Sequence, residues 1–173
     1  MMGTASEWHD AYAALLEGEI EALAWLPIPA DTPDVVANLG SPSFVFSGAV
    51  LLAPACGTEL YLTWKQQDHQ YRLMANNRLD WLPNSLDRIR CTFDGPWKAI
   101  QGGRLAEVRL FQAPGLDDIL QIVGVRHTIV HEHGEAWFWV GCGDADDLGD
   151  RDDLWVGVNV EPGNLADLVE IPI

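Results

Sequence analysis

From residue 43 onward the apolar residues recur at every second position, and that period restricts the fold more than any other feature of the chain. Leu60, Leu62 and Trp64 alternate with Glu59, Tyr61 and Thr63; Ile89, Cys91 and Phe93 with Arg88, Arg90 and Thr92; Val156, Val158 and Val160 with Trp155, Gly157 and Asn159. Successive side chains of a strand point to opposite faces, so this alternation is what a half-buried strand requires. The candidate strands are 43–53, 58–65, 69–76, 86–94, 104–112, 118–131, 135–142 and 154–160. Turn-forming residues separate them: Pro54 to Gly57, Asp94-Gly95-Pro96, Gly102-Gly103, Pro114-Gly115, His133-Gly134 and Gly149. Connections this short pair neighbours antiparallel, and no helical stretch between strands is long enough for a parallel crossover. The expected fold class is α+β. A mostly antiparallel, meander-like curved sheet of about seven or eight strands, a roll or partly closed barrel, carries an N-terminal helix.

The helix is expected over 4–26. Thr4 and Glu7 form the T-x-x-E capping box, and Trp8, Tyr12, Leu15, Leu16, Ile20, Leu23 and Leu26 share one face of a helical wheel. Pro27 and Pro29 end it. Glu19 falls inside the apolar face. A bend at Gly18 that turns it outward is expected in preference to a buried carboxylate. Residues 27–42, with Pro27, Pro29, Pro33 and Pro42, read as a connecting loop with a short helical turn at 34–39. The sheet spans 43–160, and 161–173 is a tail with a helical turn at 164–169. The 173 residues are read as one domain, 1–173.

Charge is unevenly placed. Residues 1–64 hold eight acids and no Lys or Arg, 65–143 nine acids and nine bases, and 144–173 nine acids and the single base Arg151, so each end contributes −8 to the net −16. Such a field repels nucleic acid and anionic membrane and attracts basic proteins. The first ten residues lack the basic and apolar regions of a signal peptide, and no apolar run reaches the roughly 20 residues that span a bilayer. Cys56, Cys91 and Cys142 are odd in number and form no C-x-x-C. They are expected to be small core residues of a cytoplasmic protein in a reducing compartment.

Three stretches could carry chemistry. In V-R-H-T-I-V-H-E-H-G-E, strand alternation would place His127, His131 and His133 on one face, with Glu135 as a further oxygen ligand, a set suited to Zn, Fe, Cu or Ni. H-E-H-G-E-A-W-F-W-V-G-C-G resembles the first metal motif of the cupins, which implies two histidines and a glutamate at a barrel-bound metal. The His-to-Glu spacing here is shorter, and no histidine follows His133. The alternative reading of the residues is a hairpin end with exposed histidines. The second stretch is D-A-D-D-L-G-D-R-D-D. Asp144, Asp146 and Gly149 match positions 1, 3 and 6 of a calcium loop, but Leu148 and Trp155 stand where oxygen ligands are needed. A solvated loop or an acidic pad for a basic partner is expected instead, with Asp144, Asp146, Asp147, Asp150, Asp152, Asp153 and an exposed Trp155 as candidate contacts. The third feature is the set of eight tryptophans, most of them expected in the core.

No G-x-S-x-G, Walker A, G-x-G-x-x-G or H-E-x-x-H occurs. The favoured expectation is therefore a non-enzymatic binding protein, without a cofactor, whose acidic surface docks a basic partner protein. In size, charge and lack of motifs it resembles bacterial immunity proteins and inhibitors of that type. The alternatives are a small-ligand or metal-dependent enzyme built on the histidines, and a structural or homo-oligomeric module using the apolar strand 43–53.

Overall fold

The computed structural model describes residues 4–67, 70–77, 87–114, 121–148 and 153–173. Its regular elements are helices α1 (Ala5–Tyr12) and α2 (Thr32–Ala37) and strands β1 (Ile20–Pro27), β2 (Ser43–Phe46), β3 (Gly48–Pro54), β4 (Leu60–Gln67), β5 (Gln70–Asn76), β6 (Ile89–Arg90), β7 (Arg104–Gln112), β8 (Ile122–His131), β9 (Gly134–Cys142), β10 (Leu154–Val158) and β11 (Val169–Pro172). Short 3-10 turns occupy Pro29–Asp31, Gly95–Ile100 and Leu165–Asp167. The strands form two antiparallel sheets, ordered β5-β4-β3-β1-β6 and β11-β7-β8-β9-β10-β2. The antiparallel, strand-rich character is as the period-two pattern requires. The single rolled sheet of about seven or eight strands is corrected to two open sheets holding eleven strands among the described residues.

The long helix 4–26 is also corrected. Its first two turns form as expected. The Thr4 side chain accepts from the Glu7 amide and the Glu7 carboxylate accepts from the Thr4 amide. Beyond Tyr12 the chain turns, Glu17 adopts a left-handed backbone with φ 64°, and the Glu17 amide donates to the Leu105 carbonyl at 2.8 Å. Residues 20–27 then enter the five-stranded sheet between β3 and β6. A strand covered on both faces has no period-two signature, so its apolar run fitted a helical wheel equally well. Glu19 is exposed, as expected, but because the chain has left the helix rather than because a helix bends.

The stretch 43–53 is not one strand. β2 pairs with β10 at an edge of the six-stranded sheet, whereas β3 lies between β1 and β4 in the other. The chain changes sheets at Ser47-Gly48, where the Ser47 amide donates to the Asp31 carboxylate at 2.6 Å. The tail, expected to hold only a helical turn, adds β11 to the edge of β7.

Between the sheets lies one core, contributed by Trp25, Val50, Leu52, Leu62 and Leu73 on one side and Leu105, Val108, Val125, Phe138 and Val156 on the other. A run of ring contacts crosses it. Trp8 stacks on Tyr12, Tyr12 meets His127 at 5.5 Å, His127 lies flat on Phe138 at 4.1 Å, and Phe138 leads through Trp97 to Trp25 and Phe44. Trp97 is satisfied at its indole N–H by the Ser41 carbonyl, 2.9 Å away. Burial of aromatics, each removing on the order of 200 Å2 from water, is the dominant stabilising term here. Of the cysteines, Cys142 is in the core and Cys91 half-buried, but Cys56 is exposed, not a core residue. Burial raises the Cys91 thiol to about 11, so it stays protonated at neutral pH. Among the described residues no helix is long and apolar enough to cross a membrane.

Candidate functional site

The histidines do not assemble. His127 is fully buried mid-strand on β8. Its Nδ1–H donates to the Phe138 carbonyl (3.2 Å) and its Nε2 accepts from the Tyr12 hydroxyl (2.7 Å), so one neutral tautomer satisfies both neighbours. Desolvation lowers its pKa to about 3 and raises that of Tyr12 well above 10, which fixes the ring neutral and the phenol as donor. His131 is half-buried and its Nε2–H donates to the Ala99 carbonyl at 2.7 Å. His133 is not on the strand but in the β8–β9 turn, and it is exposed. His131, His133 and Glu135 do border one surface depression of about 340 Å3, together with Lys98 and Gln101. Among the described residues no group of three His, Cys, Asp or Glu could hold a metal ion. His127 is thus apart from His131, His133 and Glu135, which alone share the depression. Alternation along β8 was sound, but it sent His127 into the core, and the hairpin turn took His133 off the strand.

The acidic segment is anchored rather than loose. Residues 143–148 fold over the outer face of the six-stranded sheet, with the Gly143–Leu148 bridge closing the turn. The Asp144 carboxylate accepts from the Asp146 and Asp147 amides, each at 3.0 Å, an Asx-type cap built on its own loop. Asn164 clamps the same loop: its side-chain oxygen accepts from the Leu148 amide and its amide donates to the Leu148 carbonyl. Leu148 itself is buried with Phe111, Val123, Trp139 and Trp155. It occupies space left by two glycines paired across β8 and β9, Gly124 and Gly141. A Cβ at position 141 would lie 2.6 Å from Leu148 Cδ2 and 3.2 Å from the Val123 carbonyl oxygen. Gly141→Ala is therefore expected to destabilise the protein by about 2 kcal/mol. It should also raise hydrogen-exchange rates at 143–148 more than in β8. Unchanged exchange there would show that Leu148 is not the anchor.

Asp146 and Asp147 are exposed at the surface of this platform, and Asp144 is half-buried beneath it. Asp153 is half-buried at the far end of the segment. Asp150 and Asp152 lie outside the described residues. Trp155 departs from expectation: it is 1% exposed, its ring lying over Gly157, and it offers no surface to a partner. The reason is the platform itself, since the loop and the Val160–Leu168 stretch cover the face that a half-exposed sheet would have left open. The acids of the N-terminal third are elsewhere. Glu21 and Glu59 border a depression on the outer face of the five-stranded sheet, where Arg88 pairs with Glu59 at 3.5 Å, and Glu17 pairs with Arg104 at 2.6 Å. Glu170 is held by Arg109 at 3.0 Å. Glu21 and Glu59 thus border the outer face of the five-stranded sheet and Asp146 and Asp147 lie over that of the six-stranded sheet, whereas Glu17 and Glu170 pair with arginines of β7.

What results is a two-sheet antiparallel β protein that carries a rigid acidic segment on one outer face. No family model, no curated protein and no solved structure matches this chain.

Proposed function

We propose that this chain is a non-enzymatic cytoplasmic binding protein that docks a basic partner protein through its C-terminal acidic platform, in the manner of an immunity protein or inhibitor. The observation that carries the reading is the anchoring of 143–148 by Leu148 and Asn164. A loop already held in one conformation loses little entropy when a partner binds, so its charges act at full effect. Asp146 and Asp147 are the contacts, and Asp144 sets their position through its two amide hydrogen bonds. Charge of this kind chiefly accelerates association and selects among partners. The Debye length of about 8 Å at physiological salt confines the attraction to a partner docked on this face.

Immobilised wild-type chain should retain a basic protein from its host at moderate salt, and the Asp146→Asn/Asp147→Asn variant should associate with that protein about tenfold more slowly. Retention of no basic protein, or equal rates for the two chains, would remove the basis for the reading.

A further inference from the structure

The depression on the outer face of the five-stranded sheet has a volume of about 370 Å3, in the range of small-molecule sites. Its floor is two cross-strand pairs, Ala22 with Ala53 and Ala24 with Leu51. Three of these four side chains are single methyl groups, so the floor lies close to the backbone. One wall is a chain of polar contacts. Arg88 Nη2 donates to the Tyr61 hydroxyl at 3.0 Å, that hydroxyl donates to Glu59 at 2.7 Å, and Arg88 pairs with Glu59. β6 and β4 are separated by β1 and β3, so this chain crosses roughly 14 Å of sheet. Arg88 and Glu59 both line the depression, and their charges are committed to each other.

The other two charged residues that line it, Arg90 and Glu21, are not committed. Both are exposed, and among the described residues neither has an ion-pair partner. Arg90 is directly opposite Ala24 across the β1–β6 ladder, on the same face. Glu21 reaches that face through a backbone irregularity. Leu23 and Trp25 enter the core, and strict alternation would turn Glu21 inward with them. Instead the ladder slips between Ile20 and Ala22, Ile20 takes the core position, and Glu21 lines the depression beside Ala22. Bulges re-aim side chains in this way, and they are over-represented next to active sites. Glu21 and Ala24 are three residues apart, about 10 Å along the strand. The uncommitted carboxylate and guanidinium therefore stand at opposite ends of an apolar floor.

We propose that this depression binds a linear ω-amino acid. Its carboxylate accepts hydrogen bonds from the Arg90 fork, its ammonium donates to Glu21, and its methylene chain lies on the alanine floor. Such a ligand carries its two charges at the ends of an apolar body, the order in which the site presents their partners. Being neutral overall, it is not repelled by the net charge of −16, as a simple carboxylate would be. The site is on the sheet opposite the acidic platform and does not depend on the docking reading.

The test is calorimetric titration of the full chain with 6-aminohexanoate, hexanoate, hexylamine and glycine. The first should bind saturably at one site. Hexanoate lacks the ammonium, hexylamine the carboxylate and glycine the apolar chain, and each should bind at least about tenfold more weakly. Arg90→Gln and Glu21→Gln should each lower 6-aminohexanoate affinity about tenfold or more while melting like wild type, since neither side chain has an internal partner to lose. The proposal is overturned if 6-aminohexanoate does not saturate, if any of the three analogues binds as tightly, or if either variant binds it like wild type. A variant that melts well below wild type equally overturns it, because the charge it removes would then serve the fold rather than a ligand.

Discussion

Gly48→Ala is expected to lower unfolding stability by roughly 4 kcal/mol or more, the largest effect of a methyl group added at any of the described glycines. Gly48 is the first residue of β3, where the chain enters the five-stranded sheet, and its backbone has φ 148°, a conformation that L side chains rarely adopt. A Cβ there would lie 2.0 Å from the Leu26 carbonyl oxygen and 3.0 Å from the Pro27 Cα, both of them backbone atoms of the paired strand β1. No rotamer change relieves a clash with backbone, so either the β1–β3 ladder opens or the crossing between sheets moves. Gly40 is the control: a Cβ there meets nothing within 4 Å, and Gly40→Ala should change stability by less than about 0.5 kcal/mol. Urea denaturation of both variants measures this. A Gly48→Ala protein within about 1 kcal/mol of wild type would show that the sheet crossing is not fixed at this residue.

The second large effect is a loss of stability on acidification that traces to His127. In the folded protein its pKa is lowered to about 3 by burial, against about 6.5 in the unfolded chain. Between those values the unfolded state holds a proton that the folded state does not, so stability falls as pH falls through this window and is fully present only above pH 6.5. At about 1.4 kcal/mol per pH unit, the single ring accounts for about 2 kcal/mol between pH 7 and pH 5 and about 3 kcal/mol by pH 4. His127→Gln can still hydrogen-bond to Tyr12 and has no such proton. Its stability at pH 7 should be lower, since the stacked contact with Phe138 is lost, but its slope between pH 7 and pH 5 should be much flatter than wild type. Few free carboxylates titrate in that interval, so the difference in slope isolates the histidine. Parallel pH profiles for the two proteins would mean that His127 is not the neutral buried ring described above.

The readings that held came from local rules. The Thr4/Glu7 capping box forms because both partners lie within one turn, and strands form close to the expected 58–65, 69–76, 104–112 and 135–142, at Leu60–Gln67, Gln70–Asn76, Arg104–Gln112 and Gly134–Cys142, because extended pairing sends alternate side chains to the core between the sheets. Where a strand is covered on both faces the alternation disappears, and Ile20–Pro27 became indistinguishable from the continuation of a helix. The acidic stretch was recognisable, but its rigidity was not. Anchoring depends on Leu148 meeting Gly124 and Gly141, residues 24 and seven positions away in the chain, and on Asn164, 16 positions away. The same contacts explain why Trp155 was misplaced: what covers it is the loop that was expected to stand beside it.

The sequence by itself determined that this chain is strand-rich and antiparallel, that it begins with a capped helix and that its acids concentrate at both ends, because hydrophobic period, turn chemistry and composition act over a few residues. The tertiary structure alone decided that the strands divide into two sheets, that His127 becomes a neutral core residue bonded to Tyr12 while His133 is left in a turn, and that residues 143–148 are pinned to the outer face of the six-stranded sheet. Those outcomes depend on which surfaces meet across the core. Pairings between residues far apart in the chain are selected by the burial of the whole molecule, and local pattern carries no record of them.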